Sequence, residues 1–294
     1  MPEPRQYSTA GAFRRSLEDR LNQISQNQGT DVTRLRRRVA FERLLARLFT
    51  KENPSWMLKG GYAMELRLQD VARATKDIDL SIPNPTDAVP EGENQLQAIR
   101  ELLQDELGRD LGDWFVFRLG AQTADLHAAP FGGARFHVEA HVDSRIFSRF
   151  SLDVGLGDAV VSEPEWVTGH ELLSFAGIPP ARIALLPTDQ QFAEKIHAYS
   201  LPREQSSRVR DLVDLVLLIE NGLPAPEQVI RALHATFNRR ATHPLPVQLD
   251  QPPESWREPY AALAAEHNVR YATIEAAYEY VAAYWSSNLE SSAG

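Results

Sequence analysis

The sequence predicts a mixed α/β fold of the α+β kind, because strand and helix patterns alternate in its first half and helix patterns dominate its second. In the first half, short stretches of period-two hydrophobicity lie between segments whose apolar residues recur every three to four positions. After Pro187 nearly every periodic segment has helical spacing. We therefore expect an N-terminal domain with leading helices at residues 1–165 and a mainly helical C-terminal domain at residues 166–294.

The composition is that of a soluble globular protein, with 43% hydrophobic and 24% charged residues. The chain has no cysteine, which excludes a disulfide framework and thiolate metal sites. Its first residues contain no apolar signal-peptide segment, and no stretch approaches the roughly 18 consecutive apolar residues of a membrane helix. We expect a cytoplasmic protein without a membrane partner.

The charge is unevenly distributed along the chain. The formal net charge is −9, yet residues 1–51 contain 11 lysines and arginines against 5 acidic residues, a local charge of +6. The rest of the chain therefore carries −15. Such asymmetry favours contact between the basic part and nucleic acid, although arginines on a solvated helix face would produce the same pattern.

The first elements are two helices and a short strand. Helical periodicity covers residues 10–24 and 31–50, with Thr30 or Asp31 as the N-cap of the second helix. Residues 56–58 then predict a short strand that leads into a glycine turn.

The central motif is a pair of glycines followed by two aspartates. Gly60 and Gly61 open a short helical pattern, and a strand pattern then contains Asp77 and Asp79 with one apolar residue between them. Successive side chains of a strand point to opposite faces, so the two aspartates share one face while the apolar residues on either side of Asp79 face the core.

This motif favours chemistry on phosphates. Two carboxylates on one face repel each other unless a cation lies between them, and Mg²⁺ or Mn²⁺ binds carboxylate oxygens while completing its coordination with substrate phosphates. Glycines let the backbone approach a phosphate closely, and the N-terminus of the following helix offers unpaired N–H donors. A glycine pair by itself is common in turns, and an Asp-x-Asp pair by itself is common at strand ends. Together, in this order, they indicate phosphoryl or nucleotidyl transfer.

The middle of the chain contains one further helix pattern and three strand patterns. They cover residues 95–107 for the helix and residues 114–119, 134–144 and 150–155 for the strands. The second of these strands places His137, Glu139 and His141 on one face, a combination that suits zinc. A polar, outward-facing strand explains the pattern better, since no fourth ligand is evident.

The second half of the chain contains a lysine and a pair of acidic residues within predicted helices. Residues 166–175 predict a short helix, and Thr188, with a glutamine three positions later, has the capping-box spacing of a helix start. In the helix that follows, Lys195 falls within the apolar stripe, where it must reach solvent or meet an anion such as a nucleotide phosphate. Asp211 and Asp214 lie one turn apart in the next helix, and a surface pair between Asp214 and the arginine four positions earlier is the simplest alternative.

These motifs resemble those of the DNA polymerase β-like nucleotidyltransferases and, more narrowly, those of the AbiEii toxin family, which includes the mycobacterial MenT toxins. The resemblance covers about residues 56–220 and rests on a few short pieces. In the first half these are Lys59-Gly60-Gly61-Tyr62-Ala63 with Arg67, and Thr75-Lys76-Asp77-Ile78-Asp79-Leu80. In the second half Lys195 matches the family lysine, and Asp211 and Asp214 match the two acids of the later motif.

The resemblance implies a metal-dependent nucleotidyltransferase domain, built on a small mixed sheet flanked by helices and followed by a mainly helical domain. It implies Asp77 and Asp79 as ligands of Mg²⁺ or Mn²⁺, together with a third carboxylate on a neighbouring strand. We choose Asp153, because it lies inside a short apolar strand where an unpaired charge would be costly. Glu139 and Asp143 are the alternatives.

The resemblance also assigns the nucleotide side of the site. The residues expected to contact the nucleoside triphosphate are Lys59, Gly60, Gly61, Arg67 and Lys195. Lys195 counts among the catalytic residues, as does Asp211, which together with Asp214 would orient Lys195 or Arg67.

The family implies the toxin of a toxin–antitoxin pair, and its MenT members add nucleotides to the 3′ end of tRNA. We therefore expect an enzyme that uses an NTP to modify the tRNA acceptor end, blocks aminoacylation and growth, and has a cognate antitoxin encoded nearby. One alternative is an enzyme of the same fold that nucleotidylates a protein hydroxyl or a small molecule. The other is a non-catalytic nucleotide-binding regulator, against which the complete carboxylate set argues.

Overall fold

The computed structural model describes residues 7–68, 75–85, 89, 95–125, 129–201, 208–267 and 269–288, without the side chains of residues 122–125. Its helices are α1 (Ala10–Gln28), α2 (Val32–Leu48), α3 (Gly60–Leu68), α4 (Gln95–Leu107), α5 (Thr188–Tyr199), α6 (Val209–Glu220), α7 (Pro226–Arg240), α8 (Arg257–Glu266) and α9 (Ile274–Asn288). Its strands are β1 (Met57–Lys59), β2 (Asp77–Ile82), β3 (Phe115–Asp125), β4 (Gly133–Val142), β5 (Arg145–Leu156), β6 (Glu165–Thr168) and β7 (Arg182–Leu185). The sequence also predicts loops at residues 83–92 and 201–207 and a disordered tail at residues 291–294. Of these, residues 86–88, 90–92, 202–207 and 291–294 lie outside the described residues.

The chain forms two compact units. The first lies within Met1–Tyr62, Ala74–Gly157 and Trp166–Leu185, and the second within Ala63–Arg73, Asp158–Glu165 and Leu186–Gly294. Helices α5 to α9 belong to the second unit and pack around one apolar core. In the part of the chain that the structure describes, no helix combines the length and the apolar character needed to cross a membrane.

The sheet has seven strands in the order β3-β4-β5-β2-β1-β7-β6. Strand β2 runs parallel to β5 and β1 parallel to β7, whereas β1–β2, β3–β4 and β4–β5 are antiparallel. Ile78 and Leu80 of β2 and Leu152 and Val154 of β5 are fully buried, so one face of the sheet is apolar. The predicted fold class, with its mixed sheet and mainly helical C-terminal part, is confirmed.

The leading helices also match their predictions. Helix α2 begins after Asp31, whose side chain accepts a hydrogen bond from the Arg34 N–H at 3.0 Å. This is the N-cap geometry that satisfies an otherwise unpaired donor of the first turn, and it selects Asp31 over Thr30. Helix α2 packs against β5 and thereby covers the apolar face of the sheet.

The predicted helix at residues 166–175 is wrong. Residues Glu165–Thr168 form the edge strand β6, and only Ser174–Ala176 adopt a single 3₁₀ turn. Strand β7 was not anticipated, although Ile183 and Leu185 are fully buried and Leu185 pairs with Leu58 of β1. Short apolar runs do not distinguish a strand from a buried helix, and the pairing partner that decides between them lies far away in sequence.

The predicted capping box at Thr188 is also wrong. Helix α5 begins at Thr188 itself, after Pro187, and has no side-chain cap. The Thr188 hydroxyl donates instead to the Glu165 carboxylate at 2.6 Å, and the Thr188 N–H donates to the same oxygen at 2.7 Å. A carboxylate from another segment therefore supplies the acceptor that the local motif would have provided.

Glu42 is a buried carboxyl group of the first unit whose hydrogen-bond donors among the described residues are neutral. Glu42 on α2 is 3% exposed, and its Oε1 accepts hydrogen bonds from the His170 N–H at 2.7 Å and the Tyr62 hydroxyl at 3.4 Å. A Cβ on Gly169 would lie 2.0 Å from Oε2, so glycine makes room for this carboxyl. Burial raises the pKa of Glu42 to about 7, against the lowering effect of these hydrogen bonds.

We expect this group to make stability depend on pH. Because the folded-state pKa lies above the unfolded value of 4.5, the folded state binds the extra proton, and its stability falls as pH rises from about 4.5 through 7. The loss attributable to Glu42 is about 3 kcal/mol. Thermal unfolding at pH 5, 6, 7 and 8 should show a shallower decline for Glu42→Gln than for the parent. Glu101→Gln, an exposed acid on α4, is the control, and equal slopes for the parent and Glu42→Gln would contradict the assignment.

Candidate active site

The glycine turn brings the end of β1 next to the carboxylate of Asp79. Gly60 opens α3 with a φ of +67°, a left-handed conformation that glycine adopts without a steric penalty. A Cβ on Gly60 would lie 2.0 Å from Oδ2 of Asp79. Gly60 is therefore required twice, once for its backbone conformation and once for the space that the aspartate occupies.

A row of four charged side chains crosses the sheet beside this turn. In the strand registers Lys59 pairs with Asp79, Asp79 pairs with Asp153, and Asp153 pairs with Arg135. Laterally paired residues project from the same face of a sheet, so the row reads base, acid, acid, base across β1, β2, β5 and β4. We call these four residues the charged row.

The pair at one end of the charged row is the tightest. Arg135 donates from Nε to Oδ1 of Asp153 and from Nη2 to Oδ2, both at 2.6 Å, which is bidentate guanidinium–carboxylate geometry. The hydrogen bonds and charge of Asp153, followed by the charges of Asp77 and Asp79, raise the pKa of Arg135. The guanidinium therefore lies in the field of all three predicted metal carboxylates.

Asp77 lies one step along the same face, opposite Ser151 of β5. The structure thus brings Asp77, Asp79 and Asp153 together on two adjacent parallel strands. Neither alternative third carboxylate lies in this group. Glu139 accepts from Arg149 at 2.8 Å and bonds to His141 at 2.9 Å, farther along β4, and Asp143 lies in the β4–β5 turn with a φ of +54°.

The donor set suits a hard divalent cation. Carboxylate oxygens are the ligands that Mg²⁺ and Mn²⁺ bind, and Asp77, Asp79 and Asp153 supply them from one sheet face. Within the described residues, however, no group of three or more histidine, aspartate or glutamate side chains stands arranged to hold an ion. Both oxygens of Asp153 are bonded to Arg135. The three carboxylates are therefore of the right chemical type for the ion, but in this arrangement one of them, Asp153, is bonded to a guanidinium group.

In the second unit Lys195 is held by two aspartates. Its Nζ lies 2.9 Å from Oδ1 of Asp211 and 2.7 Å from Oδ2 of Asp214, and Asp211 also meets Arg208 at 3.3 Å. Asp214 is fully buried and bonds to Lys195, so the surface pair with Arg210 is not the arrangement found. The lysine in the apolar stripe is thus oriented by α6, and its role toward a nucleotide stays a prediction.

Arg67 is bound inside the second unit as well. It donates from Nε and Nη2 to Glu165 at 3.0 and 2.8 Å, from Nη2 to the Leu186 carbonyl at 2.8 Å, and from Nη1 to Gln191. Its side chain is only 6% exposed. The sequence contained no local sign of Glu165 as its partner, and nucleotide binding by Arg67 stays a prediction.

Part of the basic N-terminal charge is neutralised within the fold. Arg36 pairs with Glu18 at 2.6 Å, and Arg43 and Arg47 both bond to buried Asp113. Arg37 donates to the Thr75 carbonyl at 3.3 Å, two residues before Asp77. The excess of arginine on α2 is therefore partly structural, and Arg37 lies beside the beginning of the strand that carries the carboxylates.

Arg135 is the site residue that sequence reasoning missed. Its alternation with Ala134 and Phe136 placed it on the polar face of a predicted strand, which was a usable signal. The sequence did not show which residue Arg135 contacts. The antiparallel register of β4 and β5 places it opposite Asp153. Only the pairing shows that this arginine belongs with the carboxylates.

Comparison with known proteins identifies a family for the chain and a solved structure with a similar fold. The sequence model of the family described as "Nucleotidyl transferase AbiEii toxin, Type IV TA system" matches residues 43–280. Among solved structures, the chain resembles MenT4, a nucleotidyltransferase toxin of Mycobacterium tuberculosis H37Rv, with 15% identity and a TM-score of 0.55 over 94% of this chain and 97% of that one. No protein with a curated description matches the chain at a significant level.

Two further solved structures are more distant. The antibiotic-resistance factor ANT(2'')-Ia is 18% identical, with a TM-score of 0.35 over 69% of this chain and 92% of its own. A nucleotidyltransferase-like antigenic protein of Paracoccidioides brasiliensis is 14% identical, with a TM-score of 0.40 over 70% of this chain and 89% of its own. These TM-scores are too low to establish a shared fold.

Proposed function

Since the chain belongs to the AbiEii family of nucleotidyl transferase toxins of type IV toxin–antitoxin systems, we propose that it transfers a nucleotide from a nucleoside triphosphate to the 3′ acceptor end of tRNA. The observation that carries this proposal is the charged row behind Gly60, in which Asp79 lies between Lys59 and Asp153. A modified acceptor end cannot be aminoacylated, so the activity arrests growth until an antitoxin counters it. Its place of action is the cytoplasm, where tRNA and nucleoside triphosphates meet.

In this proposal Asp77, Asp79 and Asp153 hold Mg²⁺ or Mn²⁺. When bound, such an ion supplies positive charge that offsets the triphosphate and the charge developing at the α-phosphorus. The 3′-hydroxyl oxygen of the RNA attacks the α-phosphorus, the bond from that phosphorus to the bridging oxygen of the β-phosphate breaks, and pyrophosphate leaves. Asp153 accepts the proton of the hydroxyl.

The triphosphate is bound by the groups around the glycine turn. Lys59 ends β1 next to Asp79, and Gly60 and Gly61 open α3, whose N-terminal end carries the partial positive charge that attracts a phosphate. Lys195 of the second unit stays a predicted contact of the triphosphate, and its ammonium group is oriented by Asp211 and Asp214. Arg67 stays a candidate contact whose visible role is to join segments of the second unit.

The RNA acceptor is supported by the basic face of α2. Arg37 donates to the carbonyl of Thr75, two residues before β2. Its guanidinium group therefore lies beside the strand that carries Asp77 and Asp79, where we propose that an RNA phosphate binds. Because Arg36 and Arg43 are paired within the fold, a charge-reversing test belongs at Arg37 rather than across the whole cluster.

Labelled nucleotide tests the proposal directly. We expect purified protein with Mg²⁺, total tRNA and one of the four labelled NTPs to label tRNA, and both Asp77→Ala and Lys195→Ala to lose this labelling. Asp105→Asn, an exposed acid on α4, is the matched control and should label tRNA like the parent. Label that enters protein instead would replace tRNA by a protein acceptor, and no label with any NTP would overturn the proposal.

A further inference from the structure

The charged row contains a contact that opposes metal binding in the proposed reaction. Arg135 occupies both oxygens of Asp153 through two bonds of 2.6 Å. A carboxylate held in this way keeps about half of its lone-pair sites, but the guanidinium offsets its charge and repels a metal ion that would bind there. If Asp153 acts as the third carboxylate, the guanidinium and the metal ion therefore compete for it.

The exposure of the two partners indicates which one moves. The Asp153 side chain is 12% exposed and sits within β5, whereas the Arg135 side chain is 41% exposed. The arginine is therefore the partner that moves, because its side chain is the longer and the more exposed of the two. A guanidinium is also a preferred partner of phosphate, which it binds through the same planar fork that it offers to a carboxylate.

We propose that Arg135 is a further nucleotide-binding residue, which is bonded to Asp153 in this structure and which passes to the triphosphate when metal and nucleotide bind together. The inference rests on the proposed function, because it takes Asp77, Asp79 and Asp153 as the metal ligands. Until then Arg135 offsets part of the negative charge of the three carboxylates, which repel one another. The metal ion and Arg135 thus compete for Asp153, while the nucleotide and Asp153 compete for Arg135.

This exchange couples the two ligands. A metal ion alone must displace a bidentate pair without offering the arginine a new partner, so the parent protein should bind free metal weakly. A triphosphate offers that partner, so metal and nucleotide should each strengthen binding of the other. Removing the guanidinium should therefore change the two affinities in opposite directions, which a purely structural role would not do.

The test measures both affinities in the full-length protein with Arg135→Met. Free Mn²⁺ is titrated by electron paramagnetic resonance, and an α,β-methylene nucleoside triphosphate with a fluorescent ribose group is titrated at saturating Mn²⁺. We expect Arg135→Met to bind Mn²⁺ alone about tenfold more tightly and the analogue about tenfold more weakly, the size of one charge-assisted pair at a partly exposed site. Arg135→Lys, which keeps the charge but not the fork, should lie between the two and also serves if the Met variant folds poorly.

Two controls separate this inference from the function on which it rests. Arg149→Met removes an exposed arginine that pairs with Glu139, and it should change neither affinity. Asp79→Asn should weaken Mn²⁺ binding in both the parent and the Arg135→Met backgrounds. If it does so while Arg135→Met leaves either affinity unchanged, the role of Arg135 is wrong and the metal site stands. If Asp79→Asn leaves Mn²⁺ binding unchanged, the metal site itself is wrong.

Discussion

Replacing Asp79 by asparagine should lower the rate of nucleotide transfer by about a thousandfold or more while the protein stays folded. Asp79 is the central member of the charged row, with Lys59 on one side and Asp153 on the other, and its Oδ2 fills the space left by the missing side chain of Gly60. The substitution keeps the shape and removes only the charge. Because this reaction depends on positioning and electrostatics rather than on covalent chemistry by the protein, the loss should appear in the chemical step.

Single-turnover transfer of labelled nucleotide to tRNA measures that step, and circular dichroism with thermal unfolding verifies the fold. Asp105→Asn, which removes one exposed carboxylate from α4, should react at the parent rate. An Asp79→Asn variant that is folded and transfers nucleotide within tenfold of the parent would exclude Asp79 from the catalytic group.

Replacing Asp113 by alanine should destabilise the protein by about 3–5 kcal/mol, the largest stability effect that we expect from one substitution. Asp113 and Arg47 have no exposed side-chain surface, and they are joined by bonds of 2.8 and 2.9 Å. Arg43, 5% exposed, donates to the same carboxylate at 2.7 Å. Burial alone would raise the pKa of Asp113, but the hydrogen bonds and charges of Arg47 and Arg43 hold it below its usual range. Without the aspartate, two buried guanidinium groups lose their counter-ion.

Chemical denaturation of the two proteins at pH 7 gives the difference in free energy of unfolding. The matched control is Glu18→Ala, which breaks the partly exposed pair with Arg36 and should cost less than about 1 kcal/mol. A loss below about 1 kcal/mol for Asp113→Ala would mean that water or another acid compensates the two arginines, and the pair would not be a main support of α2.

Arg43 and Arg47 show that counting charges along the chain does not reveal which arginines are exposed. Counting charges suggested that the basic N-terminal segment faces nucleic acid, and for Arg37 this interpretation stays a prediction. For Arg43 and Arg47 the structure gives a different role, since both point inward to Asp113. Helical periodicity does place Arg43 and Arg47 four residues apart on one face, but the acid between them comes from a distant loop.

The secondary structure shows the same contrast between what local sequence patterns predict and what depends on residues distant in sequence. Helices α1, α2 and α4 and strands β2 and β4 have strong local patterns, and the sequence predicted each of them within a few residues. The strands predicted at residues 114–119 and 150–155 are present as β3 and β5, but each is about twice as long as predicted. Strands β6 and β7 have four residues each and no alternation long enough to read, and they exist because they pair at the edge of a sheet. The start of α5 was misjudged for the same reason, since its acceptor is Glu165 rather than a neighbour in sequence.

The sequence by itself determined the type of most elements, the shared face of Asp77 and Asp79, the need for glycine at the turn, and the family. These depend on residues two to four positions apart, whose geometry follows from the strand or helix alone. Only the tertiary structure decided that Asp153 stands beside Asp79 and that Arg135 is bonded to Asp153. Strand register is set by packing of the whole sheet, because a shift of one residue would turn every buried side chain of a strand outward.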